Sequence, residues 1–150
     1  MSGSTAMEAA RPNSVLLDTH VFVWHMEGSK RIGRSAQAAV EEAANSDAAL
    51  VSAITPWEIA LLVSKGRLKL GVDVMDWLRN ALANPGLHVA PLEPDIAVAS
   101  TRLPFDMHAD PADRILVATA RHLGATFVTT DKALLDLAKK GYFRAIDAAK

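Results

Sequence analysis

The chain has 150 residues, half of them hydrophobic and 22% charged, which is the composition of one folded domain and excludes a disordered protein. It has no cysteine, which excludes a disulfide framework and any site built on thiolates. The net charge of −1 lacks the basic excess usual in nucleic-acid binders, although basic residues cluster within residues 30–34 and 65–69. A neutral total is compatible with an acidic pocket surrounded by cations, and equally with an ordinary solvated surface.

Residues 1–13 are small and polar and contain no apolar segment. The sequence therefore predicts a flexible lead-in over residues 1–13 and a single domain over residues 14–150. No apolar run approaches the roughly 18–20 residues that cross a bilayer. We expect no membrane contact and a cytoplasmic location.

Short apolar runs alternate with helical patterns along the rest of the chain. The first half predicts a strand at Val15–Leu17, helices at Thr19–Trp24 and Ser35–Ala44, a strand at Ala48–Ser52, and helices at Thr55–Ser64 and Asp73–Ala83. The second half predicts a strand at Leu87–Ala90, helices at Glu93–Thr101 and Asp110–His122, a strand at Ala125–Thr129, a helix at Lys132–Lys139 and an edge strand at Phe143–Ile146. This alternation predicts an α/β fold with a parallel sheet wrapped by helices on both faces.

Four acidic residues fall where strands end or helices begin. Asp18 ends the first strand, Asp131 follows the fourth, and Glu58 and Asp113 lie in the first turns of two helices. In such sheets, active sites gather at the carboxyl ends of the strands. The four carboxylates are therefore candidates for one site.

Each acid also has a local structural explanation. Glu58 could complete a capping box with Thr55, Asp113 could do the same with Asp110, and Asp131 could cap its own helix. Asp18 fits this explanation least well, because the apolar run presents its charge directly at a sheet edge.

Convergence of the four acids would have a chemical consequence. Their repulsion would require a cation or raised pKa values. Oxygen ligands without cysteine or a histidine pair favour Mg²⁺ or Mn²⁺ over zinc, and carboxylate-bound Mg²⁺ is the usual apparatus for phosphodiester hydrolysis.

Other α/β chemistries lack their signatures. The sequence contains no GxGxxG, GxxxxGK(S/T) or GxSxG motif, which excludes the usual dinucleotide, P-loop and serine-hydrolase sites. A phosphatase with an aspartyl nucleophile would need a second Asp two residues after Asp18, where this chain has His20.

An ordered set of motifs resembles the PIN-domain family, and specifically the VapC-type toxins of type II toxin–antitoxin systems. The motifs span about residues 14 to 146: Val15-Leu16-Leu17-Asp18-Thr19-His20, Val51-Ser52-Ala53, Trp57-Glu58-Ile59-Ala60, Lys65-Gly66-Arg67-Leu68, His108-Ala109-Asp110-Pro111-Ala112-Asp113-Arg114 and Val128-Thr129-Thr130-Asp131. Members with the DPxDR motif usually carry an aromatic residue where this chain has Ala112, a difference that affects packing beside the site and leaves the acids intact.

The resemblance implies a three-layer α/β/α fold and a Mg²⁺-dependent endoribonuclease, with Mn²⁺ as a substitute. It also implies a homodimer that acts on RNA and is inhibited by a small cognate antitoxin. A non-toxin PIN nuclease and an inactive PIN binding module are the alternatives, and the intact acidic set argues against the inactive one.

The resemblance also implies roles for individual residues. Asp18 and Asp113 would bind the metal directly, and Glu58 would complete the pocket or help to place water. Asp131 would bind a second metal or act through water, with Thr129 as a polar support.

Three neighbouring residues leave alternatives open. Because Asp110 precedes Pro111, it is the natural N-cap, which leaves Asp113 free to project toward Asp18. Arg114 could contact a phosphate or form a bridge to Asp110, and His108 could contact substrate or make a local hydrogen bond.

Aromatic and histidine residues near these motifs are weaker candidates. His20 is expected to be part of the first helical turn rather than a general base. Trp24, Trp57 and Trp77 lie in apolar helical patterns and are expected to be mostly core, while Trp57 could also line a groove for an antitoxin helix.

Overall fold

The computed structural model describes residues 13–150. The predicted lead-in over residues 1–13 lies outside this range except for its last residue, Asn13. Within the described range no helix is both long and apolar enough to span a membrane.

Five parallel strands form a single sheet in the described residues. They are β1 (Val15–Leu17), β2 (Ala49–Ser52), β3 (Leu87–Ala90), β4 (Thr126–Thr129) and β5 (Ala145–Asp147). The spatial order is β3-β2-β1-β4-β5, so the most apolar strand lies at the centre. All three residues of β1 are buried, as expected for a strand covered on both faces.

Seven helices connect the strands in the same range. They are α1 (Thr19–Met26), α2 (Arg34–Asn45), α3 (Thr55–Ser64), α4 (Val74–Leu82), α5 (Pro94–Thr101), α6 (Pro111–Leu123) and α7 (Lys132–Lys139). The predicted order of strands and helices is confirmed, and the ends differ by one or two residues at most elements.

Side chains of the central strand alternate between two hydrophobic cores, one on each face of the sheet. Val15 and Leu17 belong to one core and Leu16 to the other, because successive residues of a strand point to opposite faces. The first core is closed by apolar residues of α1 to α4 and the second by those of α6 and α7. The α/β fold with helices on both faces of a parallel sheet is therefore confirmed.

The last strand shows why some predicted boundaries were displaced. The sequence predicted an edge strand at Phe143–Ile146, whereas β5 begins at Ala145, which pairs with Phe127 of β4. Phe143 is buried in the second core and contacts the Phe127 ring edge-on. Its apolar character thus reflects packing rather than strand pairing.

Parallel strands bring their carboxyl ends to one edge of the sheet. Helices α1, α3 and α7 start directly after β1, β2 and β4, so their N-termini also lie at this edge. Helix α6 packs against α5 and begins after a loop of residues 102–110 that has neither helix nor strand. These helix starts carry the acidic residues predicted for the site.

Candidate active site at the carboxyl edge of the sheet

Asp18 is fixed by hydrogen bonds to both of its carboxylate oxygens. It follows β1 and caps α1: Oδ1 accepts from the Thr19 backbone N–H at 2.8 Å, and Oδ2 accepts from the Thr129 hydroxyl at 2.6 Å. Burial raises the pKa of Asp18, and the Thr129 hydrogen bond opposes that rise. The predicted polar support from Thr129 is thus present in the structure.

Glu58 is connected to Asp18 through Thr19. The Thr19 hydroxyl donates to the Glu58 carboxylate at 2.5 Å and lies 3.1 Å from the Thr55 hydroxyl. The capping-box explanation for Glu58 is wrong, because α3 is capped at Ile54 and Thr55 already lies inside the helix. Burial, followed by the negative charges of Asp18 and Asp110, raises the pKa of Glu58 above its usual value.

The two aspartates at the start of α6 have different surroundings. Asp110 is exposed and caps the helix, accepting from the Asp113 backbone N–H at 3.0 Å. Asp113 is partly buried, and its pKa is raised to about 7, first by burial and then by the charges of Asp18, Asp110, Glu58 and Asp131. The assignment of Asp110 as the N-cap is confirmed.

Asp131 combines a capping role with a position in the site. Its side chain accepts from the Leu134 N–H at 3.2 Å and caps α7. Its own backbone N–H donates to the Thr129 hydroxyl at 3.0 Å, and that hydroxyl donates to Asp18. Thr129 therefore ties the ends of β1 and α7 together.

Asp113 is the residue on which the other groups converge. Within residues 13–150, potential ligand atoms of Glu58, Asp110 and Asp113 lie within 4.8 Å of one another, and so do those of His108, Asp113 and Asp131. Asp18 lies outside both triads, although its charge contributes to the raised pKa of Asp113. The structure thus brings Glu58 and Asp131 to Asp113 and adds Asp110 and His108 to the group.

Arg114 binds backbone carbonyls rather than the Asp110 carboxylate, and its contact with a phosphate stays a prediction. Its guanidinium donates to the backbone carbonyls of Ser100 at 2.8 Å, Met107 at 3.3 Å and His108 at 3.4 Å. The predicted bridge to Asp110 is wrong, because in the described structure this side chain binds the loop before α6 instead. No local sequence pattern predicts these backbone acceptors.

The three tryptophans do not share one environment. Trp77 is buried and Trp24 is partly buried, but the side chain of Trp57, next to Glu58, is 53% exposed. The expectation that Trp57 is core is therefore wrong. Helix α3 is apolar on most sides, and only Thr55 and Ile59 of it are fully buried.

The donor set fits a hard divalent cation. The groups around Asp113 are mainly carboxylate oxygens, and their repulsion together with burial raises the pKa values of Glu58 and Asp113. A cation would relieve that repulsion, and oxygen ligands of this kind suit Mg²⁺ or Mn²⁺. Asp113, Asp18 and Glu58 are the residues that could hold it.

Comparisons with known proteins identify the family. The PIN domain family matches residues 15–140. The chain belongs to the PIN-domain family. Ribonuclease VapC22 from Mycobacterium tuberculosis is 34% identical over 121 residues, which are 81% of this chain and 89% of that protein.

Two solved structures share the fold at low sequence identity. FitAcB from Neisseria gonorrhoeae has a TM-score of 0.59 and 20% identity, over 88% of this chain and 96% of that one. FitAB bound to an IR36 DNA fragment has a TM-score of 0.58 and 18% identity, over 91% and 96%. Both likenesses cover most of the PIN domain and support its three-layer architecture.

Proposed function

We propose that this protein is a Mg²⁺-dependent endoribonuclease that acts as the toxin of a toxin–antitoxin pair in the cytoplasm. The observation that carries the proposal is the convergence of acidic side chains on Asp113, whose pKa is raised to about 7. Membership of the PIN family and the likeness to Ribonuclease VapC22 support a nuclease that acts on RNA. An inactive module would need no such crowding of ionisable groups, which destabilises the folded chain.

Each acidic side chain of the site has its own role in the proposed reaction. Asp113 and Asp18 would hold the cation; both oxygens of Asp18 are already oriented by Thr19 and Thr129 and keep a further lone pair each. When bound, Mg²⁺ (or Mn²⁺) supplies the positive charge that polarises the phosphate and activates water. Glu58 lies beside Asp113 and would orient the attacking water and accept its proton. Asp131 completes the acidic group beside Asp113.

The products of cleavage test this mechanism. Because water rather than the ribose 2′-hydroxyl attacks, the RNA fragments should carry 5′-phosphate and 3′-hydroxyl ends. Sequencing of RNA ends after brief expression of the native chain and of Asp113→Asn should show new 5′-phosphate ends only with the native chain. Cleavage that persists in excess EDTA, or 2′,3′-cyclic phosphate ends, would contradict the proposal.

An antitoxin is the partner that best fits the surface beside the site. The pocket is acidic, and the exposed indole of Trp57 lies next to Glu58 on an apolar helix. A small protein that places a Lys or Arg in the pocket and covers Trp57 would satisfy both features. The VapC-type resemblance supports this partner, and a homodimer as the form of the toxin.

Co-expression tests the partner. A small reading frame immediately upstream of the gene should give a protein that co-purifies with the chain and silences the nuclease. Light scattering of the free chain and of the complex would report the homodimer. Freely active nuclease purified from that co-expression would support a nuclease without an antitoxin.

A further inference from the structure

His108 lies on the 102–110 loop and contacts the residue at the centre of the site. Its imidazole Nε2 is 3.3 Å from Asp113 Oδ2, and its Nδ1 is 3.3 Å from the backbone nitrogen of Asp110. Its side chain is 41% exposed and that of Asp113 is 21% exposed. One ring therefore connects the cap of α6 with a carboxylate one turn inside the helix.

The contact with Asp110 fixes the tautomer of the ring. A backbone N–H can only donate, so the Nδ1 that faces it must carry a lone pair rather than a hydrogen. In the neutral ring the hydrogen is then on Nε2, the nitrogen that lies 3.3 Å from Asp113 Oδ2, and a carboxylate can only accept when it is ionised. The same geometry leaves Nε2 without a lone pair for a metal.

The loop that carries His108 is fixed by Arg114. This guanidinium donates to the carbonyls of Met107 and His108 on the loop and to that of Ser100 at the end of α5. Arg114 directly follows Asp113 on α6. The helix that carries the Asp113 carboxylate therefore also fixes the backbone of the histidine beside it.

We propose that His108 is a positioning residue whose Nε2–H donates to Asp113 Oδ2 and orients that carboxylate for the cation, and that Arg114 acts through His108 by holding the loop. This inference rests on the proposed metal-dependent function. Hydrogen-bond donors behind a ligating carboxylate typically change metal affinity about 10- to 100-fold when removed. His108 is accordingly assigned neither metal binding nor substrate binding.

Binding of Mn²⁺, followed by electron paramagnetic resonance in the absence of RNA, tests the role of His108. His108→Ala should weaken Mn²⁺ binding about 10-fold or more. His108→Gln, whose amide N–H can replace the Nε2–H donor, should restore most of the loss. His122→Ala is the matched control, because His122 is an exposed histidine near the end of α6. This variant should bind Mn²⁺ as the native chain does. Equal losses in the Ala and Gln variants would overturn the donor role.

Pulsed measurements on the same samples separate a positioning residue from a ligand. Direct ligation by imidazole gives a strong ¹⁴N coupling to Mn²⁺. We expect the native chain to show no such coupling from His108, so its spectrum and that of His108→Ala should be the same. A coupling lost in that variant would show His108 to be a ligand and overturn the proposal. The RNA KM at saturating Mg²⁺ should be unchanged in His108→Ala, and a raised KM with normal Mn²⁺ binding would assign His108 to the substrate instead.

A double-mutant comparison tests the part played by Arg114. A Lys ammonium cannot reproduce the planar set of N–H donors that binds these carbonyls. Arg114→Lys should therefore weaken Mn²⁺ binding in the native chain but cause little further weakening in the His108→Ala background. Arg102→Lys, at an exposed position on the same loop, is the control. Independent, additive losses would overturn the action of Arg114 through His108.

Asp113→Asn separates failure of this inference from failure of the proposed function. If Asp113→Asn binds Mn²⁺ as the native chain does, the metal site itself is wrong. If Asp113→Asn loses binding while His108→Ala retains it, the metal site stands and the role of His108 is wrong. Thermal melting of each variant verifies that the fold is intact.

Discussion

Four helices of the described chain begin with an aspartate that caps them, and these caps differ in their surroundings. Asp73 caps α4 by accepting from the Met75 N–H at 2.9 Å, and it is exposed. Asp18, Asp110 and Asp131 cap α1, α6 and α7 in the same way but lie at the carboxyl edge of the sheet. Local capping is therefore common to all four, and only their position in the fold distinguishes them.

The comparison shows what capping can and cannot explain. It accounts for an aspartate before each helix, because the side chain satisfies a backbone N–H that lacks a helical partner. It does not account for Asp113 or Glu58, which lie inside their helices and have raised pKa values. The charges of the capping residues Asp18, Asp110 and Asp131 contribute to the raised pKa of Asp113.

Exchange of one carboxylate for an amide should give the largest difference between the carboxyl edge of the sheet and the exposed start of α4. Asp113→Asn removes the charge at the centre of the group and should reduce RNA cleavage on the order of 1,000-fold. Asp73→Asn retains a capping side chain far from the acids and should leave cleavage unchanged. Initial rates on a labelled RNA measure both. Normal cleavage by Asp113→Asn together with loss in Asp110→Asn would place the metal ligand on the other carboxylate.

Asp18→Asn should also lose cleavage while retaining its fold. Asn keeps one oxygen to cap α1 but removes a charge needed for the cation, so we expect a loss of at least about 100-fold. The melting temperature should change little, because the lost Thr129 contact is offset by relief of repulsion. An active variant, or one that melts far below the native chain, would show that Asp18 is structural.

The pH dependence of stability should distinguish Asp113 from Asp73, the exposed cap of α4. In the metal-free fold the pKa of Asp113 is raised to about 7 from its ordinary value of 3.8. The folded state thus holds a proton that the unfolded state releases, so stability falls as pH rises from about 4 through 7. Asp113→Asn lacks this loss and should be more stable than the native chain above pH 7, with the difference vanishing near pH 4. The pKa rise alone corresponds to about 4 kcal/mol, and we expect about 2 kcal/mol because solvent screens this partly exposed carboxylate.

Urea unfolding in EDTA at several pH values measures this effect. Asp73→Asn is the control and should show no such pH dependence. Saturating Mg²⁺ should remove the advantage of Asp113→Asn, because the cation stabilises only the folded native site. A stability difference between Asp113→Asn and the native chain that does not depend on pH would show that the pKa of Asp113 is not raised in the fold.

Removal of a capping side chain should give the smallest effect, and the loss of stability should be the same at α4 and at α6. Asp73→Ala and Asp110→Ala should each reduce the free energy of unfolding by about 1 kcal/mol. Asp110→Asn should retain both the cap and substantial RNA cleavage. Much larger destabilisation in Asp110→Ala than in Asp73→Ala would mean that Asp110 has a further structural role.

Local sequence patterns predicted the elements of the fold and the acidic residues that meet at the carboxyl edge of the sheet. Apolar runs with acids at their ends predicted β1 and Asp18, and Asp110 followed by Pro111 predicted the cap of α6. These signals are local, because strand propensity and capping depend on residues close together in the chain. The position of Asp113 one turn inside α6 followed from the same local geometry.

The tertiary structure alone decided which side chains meet. Thr19 donates to Glu58, 39 residues away, and Thr129 donates to Asp18, 111 residues away. The exposure of Trp57 and the binding of Arg114 to loop carbonyls were likewise outside the reach of local patterns. Such contacts depend on the order of strands in the sheet, which brings distant helix starts to one edge and so creates the environment that raises the pKa of Asp113.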